Sequence, residues 1–138
     1  MQGSIKNWKK QLGSSGEEIV AQRLLRSGWQ IRERNWRAGR YAEIDIIAQE
    51  PGGLLVFIEV KTRCEYEQEC GFPRLGFESV DRRKQQKIVT SSQLYLSRKR
   101  LSAKPHRIDV VVVTFPVVEH HIVWDEAKIS HVENAFSF

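Results

Sequence analysis

The stretch Glu43-Ile-Asp-Ile-Ile-Ala-Gln49, Glu50-Pro-Gly-Gly53, Leu54-Leu-Val-Phe-Ile-Glu-Val-Lys-Thr62 decides how this chain is read. Its outer runs have the β-branched and aromatic content of strands and its middle carries turn residues, so the sequence predicts a β-hairpin. Yet Asp45, Glu59 and Lys61 lie inside runs that otherwise read as core. Burying an unpaired carboxylate costs on the order of several kcal/mol, so a chain that keeps two must give each a cation or a hydrogen-bonded partner.

Loop length decides whether the two carboxylates meet. A loop of Pro51 to Gly53 sets Asp45 opposite Glu59 and Glu43 opposite Lys61, with all four side chains on one face. A tighter Gly52-Gly53 turn slips the register by one residue and sends Asp45 and Glu59 to opposite faces. The turn chemistry permits either. The longer loop is preferred because it gathers the polar groups and leaves Ile44, Ile46, Ile58 and Val60 together on the other, apolar face. Carboxylates facing each other repel unless a cation sits between them, and oxygen ligands so placed suit Mg²⁺ or Mn²⁺. The plainer alternative is a solvated strand face on which Glu-x-Lys is ordinary charge alternation.

Upstream, Ser14 to Gly28 reads as a helix with a serine N-cap and a glycine stop. Glu17 falls in its first turn and shares a stripe with Val20, Ala21 and Leu24, which must face the sheet. A carboxylate on that stripe would be a third acidic group for the same metal, directly or through water; the alternative is a charge that simply suits a helix N-terminus. Trp29 to Trp36 alternates as an edge strand, and a helical stretch runs from about Ser79 to Lys99. Ile108 to Phe115 reads as a central strand, and His120 to Trp124 as a further return. The order helix-strand-strand-strand-helix-strand predicts an α/β layer structure around a mixed central sheet, with the last crossover as its parallel unit. A length of 138 residues suits a single domain, with residues 1–12 read as a flexible basic arm.

Charge points to the partner. The formal net charge is +5, and from Arg82 to Arg107 there are nine Lys or Arg and no Asp or Glu. Arg82, Arg83, Lys84 and Lys87 open the second helix, where the macrodipole disfavours them unless an anion is near. That density is the footprint of nucleic-acid backbone binding, against the plainer reading of a solvated basic face. Met1 to Lys10 has no apolar signal-peptide core and no window is long and apolar enough to cross a membrane, so the expectation is a cytoplasmic protein without a membrane. Cys64 and Cys70 are accordingly read as reduced thiols, with a disulfide between them as the alternative. The four histidines lack zinc-ligand spacing, and no phosphate-binding glycine loop occurs.

Gly16-Glu17, Asn35-Trp36-Arg37, Glu43-Ile-Asp45, Phe57-Ile-Glu-Val-Lys-Thr-Arg63, Arg83-Lys84, Arg107-Ile-Asp-Val110 and His131-Val-Glu-Asn-Ala-Phe136 occur in order with compatible spacing. Together they resemble the YraN family, uncharacterised bacterial proteins related to archaeal Holliday-junction resolvases in the PD-(D/E)XK nuclease superfamily. The resemblance covers nearly all the chain after its first dozen residues. It implies a restriction-endonuclease-like core in which Asp45, Glu59 and Lys61 match the catalytic signature and Glu17 the helix carboxylate. The expectation is a Mg²⁺-dependent (or Mn²⁺-dependent) nuclease acting on DNA, branched or otherwise structured, with RNA left open. Asp45 and Glu59 would hold the metal with the Val60 carbonyl and Glu17, while Lys61 orients water or offsets charge. Arg63, Arg82, Arg83, Lys84 and Lys87 would hold phosphates, and a homodimer would suit a two-fold junction. The alternative is a non-catalytic nucleic-acid-binding protein on the same fold, its charges tied up in pairs such as Glu43 with Lys61.

Overall fold

A computed structural model describes residues 5–65 and 81–138, the side chains of residues 5–9 excepted. Helix α1 runs from Ile5 to Arg26. Strands β1 (Gln30–Trp36), β2 (Ile44–Gln49) and β3 (Leu55–Cys64) follow, then α2 (Arg82–Arg98) and β4 (His106–Phe115). Val117–Val118 (β5) and His121–Ile122 (β6) make a small separate hairpin, and β7 spans Lys128–Phe136. The main sheet has the order β1-β2-β3-β4-β7, with β3 and β4 parallel and the other neighbours antiparallel. It is therefore a mixed sheet flanked by helices, with β1 on one edge and the crossover through α2 supplying the parallel pair.

The hairpin closes on the longer loop. Ile46 pairs with Ile58 and Gln49 with Leu55, while Glu50 N–H donates to the Leu54 carbonyl at 2.9 Å and Gly53 N–H to the Glu50 carbonyl at 2.9 Å. Pro51 settles the choice that the glycines left open. In a tighter turn Pro51 would have to pair with Leu54, and it has no N–H to give. Gly53 takes a φ of 99°, a conformation that favours glycine.

Both sheet faces are covered, so neither face of the hairpin is solvated. On the α1 side Leu12, Val20 and Leu24 pack on Ile46, Ile58 and Val60. On the α2 side Ile88, Tyr95 and Leu96 pack on Ile47, Leu55 and Phe57. Ile44, expected with Ile46 and Ile58, joins the α2-side core beside Trp36 and Ala42 instead. The β2–β3 ladder has ended by then, and Ile44 pairs with Trp36 of β1, whose ring packs against the same α2-side core.

Three further expectations change. Helix α1 starts at Ile5, so residues 5–12 belong to it, Ser14 is interior rather than a cap, and Glu17 is not in the first turn. Leu12 is fully buried and Gly16 packs close against Thr62, tertiary contacts that carry the weak helix-forming run of residues 13–16. The stop is as expected: Gly28 has φ 86° and Trp29 N–H donates back to Leu24 at 3.0 Å. Strand β7 was read only as a chain ending, and the expected return at His120 to Trp124 is the small β5–β6 hairpin. Cys64, expected as a thiol, is buried and disulfide-bonded; Cys70 and most of the loop before α2 lie outside the described residues. Among the described residues no helix is long and apolar enough to cross a membrane.

Candidate active site

Past Ile46 and Ile58 the β2–β3 ladder stops, and a cleft of about 560 Å³ opens over its end. Asp45 and Glu59 line it together with Glu43, Arg37, Arg40, Tyr41, Arg83, Lys84 and Lys87. Where the ladder ends, Val60 N–H donates to Asp45 Oδ2 at 2.8 Å. Thus a side chain of one strand takes the backbone donor that the neighbouring strand no longer pairs, which fixes the Asp45 carboxylate beside Glu59. Val60 contributes its N–H to the site, in addition to the carbonyl expected as a ligand.

Glu59 is only 4% exposed and is held by two ammonium groups, Lys84 Nζ at 3.1 Å and Lys61 Nζ at 3.6 Å. Among the described residues Asp45 has no such ion pair, though the Lys84 charge helps it. Burial, then the Glu59 charge and, more weakly, Glu17, push its carboxyl up to about 8, against the Val60 hydrogen bond and Lys84. Burial pushes Lys61 down, with Lys84 adding to it and Glu59 opposing. At Lys84 burial works against the charge, but Glu59, Lys61 and Asp45 outweigh it and its pKa is raised. The acidic cluster is therefore short of positive charge at Asp45.

Glu17 lies on the stripe of Val20, Ala21 and Leu24, all buried, and stands near enough to Glu59 and Asp45 for their charges to act on one another. Burial raises its pKa, with Arg34 opposing and Glu43 and Glu59 adding. A Cβ on Gly16 would stand 2.3 Å from Thr62 Cγ2, so only glycine lets α1 approach β3 this closely and bring Glu17 to the site. Sequence reasoning missed Asn35 as a site residue. It sits at φ 53°, and with its amide nitrogen turned to the carboxylates it donates to Glu17 Oε1 and Glu43 Oε1, both at 2.9 Å. Arg37 also reaches Glu43, at 3.4 Å. The expected Glu43–Lys61 pair is absent from these partnerships because Glu43 precedes β2 and turns toward Arg37.

Not every expected phosphate ligand joins the cleft. Arg83, Lys84 and Lys87 line it. Arg63 Nε donates to Thr114 Oγ1 at 3.0 Å on β4, and Arg82 borders a separate hollow beside Phe136. Arg37 and Arg40 take up the rim positions.

Residues 16–113 match the uncharacterised protein family UPF0102. The chain belongs to that family. The UPF0102 match starts at the glycine that admits Glu17 and ends within β4, so it spans every cleft residue named above. Among UPF0102 relatives, a protein of Persephonella marina is 32% identical over 94% of this chain and 95% of its own length. One from Alkaliphilus metalliredigens is 38% identical over 92% and 98%, and one from Clostridium botulinum 39% over 92% and 94%. UPF0102 is the YraN family that the motifs resemble.

Among the described residues no three His, Cys, Asp or Glu side chains stand together at metal-binding spacing. That is compatible with Mg²⁺, which is commonly held by one or two carboxylates and completes its shell with water and phosphate oxygens. Asp45 and Glu59 are a hard-oxygen pair of that kind, and burial together with the Glu59 charge pushes the Asp45 carboxyl up to about 8.

Proposed function

We propose that this protein is a Mg²⁺- or Mn²⁺-dependent nuclease with a restriction-endonuclease-like core, hydrolysing phosphodiester bonds in DNA that is branched or otherwise structured. The observation that carries this reading is Asp45, a part-buried carboxyl with no ion pair among the described residues, set beside Glu59 in a cleft whose rim is basic. The order of elements, with the two carboxylates on adjacent strands and a third on the preceding helix, supports it further.

Asp45 and Glu59 would hold the metal, with Glu17 behind them. A bound divalent cation lowers the pKa of its water and polarises a phosphoryl oxygen. Val60 N–H keeps the Asp45 carboxylate in place for this role. Lys61, half-buried and beside Glu59, would orient the attacking water and offset charge developing on the phosphate. Arg37, Arg40, Arg83 and Lys87 would hold the flanking phosphates, which makes affinity fall steeply with salt. A dimer would offer two such clefts to a two-fold junction.

One observation favours a non-catalytic nucleic-acid-binding protein: Lys61 and Lys84 already neutralise Glu59 without a metal. Cleavage of labelled linear, single-stranded, flap and four-way-junction DNA in Mg²⁺ or Mn²⁺ separates the two. Cleavage that disappears in Asp45→Asn and Lys61→Ala while DNA binding persists supports the nuclease. Metal-independent binding without cleavage of any of them supports the rival.

A further inference from the structure

Tyr41 is a large ring left 48% exposed at the mouth of the cleft. Of the large exposed apolar side chains among the described residues, Leu25, Val118 and Phe138 are the others, and none of them lines the cleft. Its backbone is held on both sides. Tyr41 N–H donates to the carbonyl of Ala38, which is buried, and the Ala42 carbonyl accepts a 2.7 Å hydrogen bond from Ser91 Oγ on α2. The turn thus fixes the base of the side chain and sends the ring outward.

The ring is also a shared wall. On one side lies the cleft with Asp45 and Glu59; on the other is a hollow of about 610 Å³ lined by Arg40, Tyr41, Arg83, Gln86, Lys87 and Thr90. Arg40, Arg83 and Lys87 border both spaces together with Tyr41, so three cations and one aromatic ring line the same two hollows. Phosphate on cations beside a base on an aromatic ring is how single-stranded nucleic acid is held without sequence preference.

We infer that Tyr41 stacks an unpaired base in the side hollow while Arg40, Arg83 and Lys87 hold its phosphates, so the cleft takes strands with an unstacked nucleotide next to the phosphate presented to Asp45 and Glu59. This rests on the nuclease reading only for what happens to that phosphate. A base inside an intact duplex has no free face for the ring. Fully paired DNA would bind through the cations alone. Gln86, exposed, and Thr90, half-buried one turn on, supply polar groups for the base edge.

The test uses the full chain and DNA carrying 2-aminopurine in a single strand, in a flap and in a fully paired duplex, without divalent metal so that nothing is cut. Wild type should quench the fluorophore in the single strand and the flap, and so should Tyr41→Phe and Tyr41→Trp. Tyr41→Ala should abolish the quench and weaken binding to those two by about 5- to 150-fold, the value of one stacked base, with duplex affinity changed less than about twofold. Equal weakening on all three DNAs, or a quench that survives in Tyr41→Ala, overturns the inference. Cleavage in Mg²⁺ or Mn²⁺ is read separately: a wild type that cuts nothing yet shows the Tyr41-dependent quench sinks the nuclease reading and upholds the stacking site.

Discussion

Asp45 and Asp109 sit two strands apart in one sheet, and they are provided for in opposite ways. Asp109, on β4, is 0% exposed and surrounded by donors: Arg107 Nε at 2.9 Å, Arg107 Nη2 at 3.2 Å, His131 Nε2 at 2.7 Å and Asn134 N–H at 2.9 Å. Burial alone would raise its pKa, but those hydrogen bonds and the Arg107 charge outweigh burial and hold it below the usual range. Asp45 has the Val60 N–H and the Lys84 charge against burial and the charges of Glu59 and Glu17, and its pKa is pushed up to about 8. The first carboxylate completes a structure, since it ties β4 to β7 where their register shifts between Ile108 and Val110. The second leaves a deficit that a ligand can fill. Burial of an acid is therefore a poor sign of function, and incomplete pairing a better one.

The sharpest break of this comparison is Asp109→Ala. It leaves the Asn134 N–H and His131 Nε2 without their partner and Arg107 with only its longer contacts to Glu133 and Glu50, and should lower stability by about 3–5 kcal/mol in urea unfolding; a loss under about 1 kcal/mol would mean that Asp109 is no more structural than Asp45. Asp45→Asn should do the reverse. Cleavage should fall by at least about 100-fold, the scale of losing a preorganised charged group at a reaction centre, yet the fold should gain stability at alkaline pH.

The sign follows from linkage. A carboxyl whose native pKa is raised contributes stability that is full below its ordinary value near 4 and is lost as pH rises through about 8. Asp109 is depressed, so its contribution is present above the ordinary value and is lost only as pH falls through the native one. Unfolding midpoints followed from acid to about pH 9 should show the alkaline decline flattened in Asp45→Asn, and the Asp109→Ala deficit narrowing only in strong acid.

Gly16→Ala tests how Glu17 reaches the site. The new methyl collides with Thr62 and should cost about 1–3 kcal/mol, and Thr62→Ala in the same chain should recover most of it. Failure of that rescue in thermal melts would locate the strain elsewhere. The smallest effect expected is from the metal itself. At tenfold above its Kd, Mg²⁺ or Mn²⁺ should stabilise wild type by about 1.4 kcal/mol. Asp45→Asn should show almost none of that shift in the same melts, whereas an equal shift in both chains would move the ion away from Asp45.

What could be read in the sequence follows the same contrast. Asp45, Glu59 and Lys61 were legible because charged residues interrupt apolar strands, and the loop length then set their register. Asp109 was not, although it also interrupts an apolar run, because its donors come from Arg107 and from β7. That strand is itself hard to read. It lies on a sheet edge, most of its residues are exposed, and its alternation is broken by the bulge. The start of α1 was misplaced because Ser14 imitates a cap, while the contacts of Leu12 and Gly16 that override it are long-range. Asn35 and Tyr41 lie at and beyond the end of β1, and their roles depend on partners that local periodicity does not encode.

Pro51 touches neither carboxylate and stands at the opposite rim of the hairpin from them. Strand alternation has only two phases, and of the two ways this hairpin can close, one demands an N–H that proline lacks. The residue therefore acts as a parity check on assembly. Whichever contacts form first, the out-of-phase closure leaves the Leu54 carbonyl without its donor, and the acidic pair is brought face to face by the rejection of its alternative.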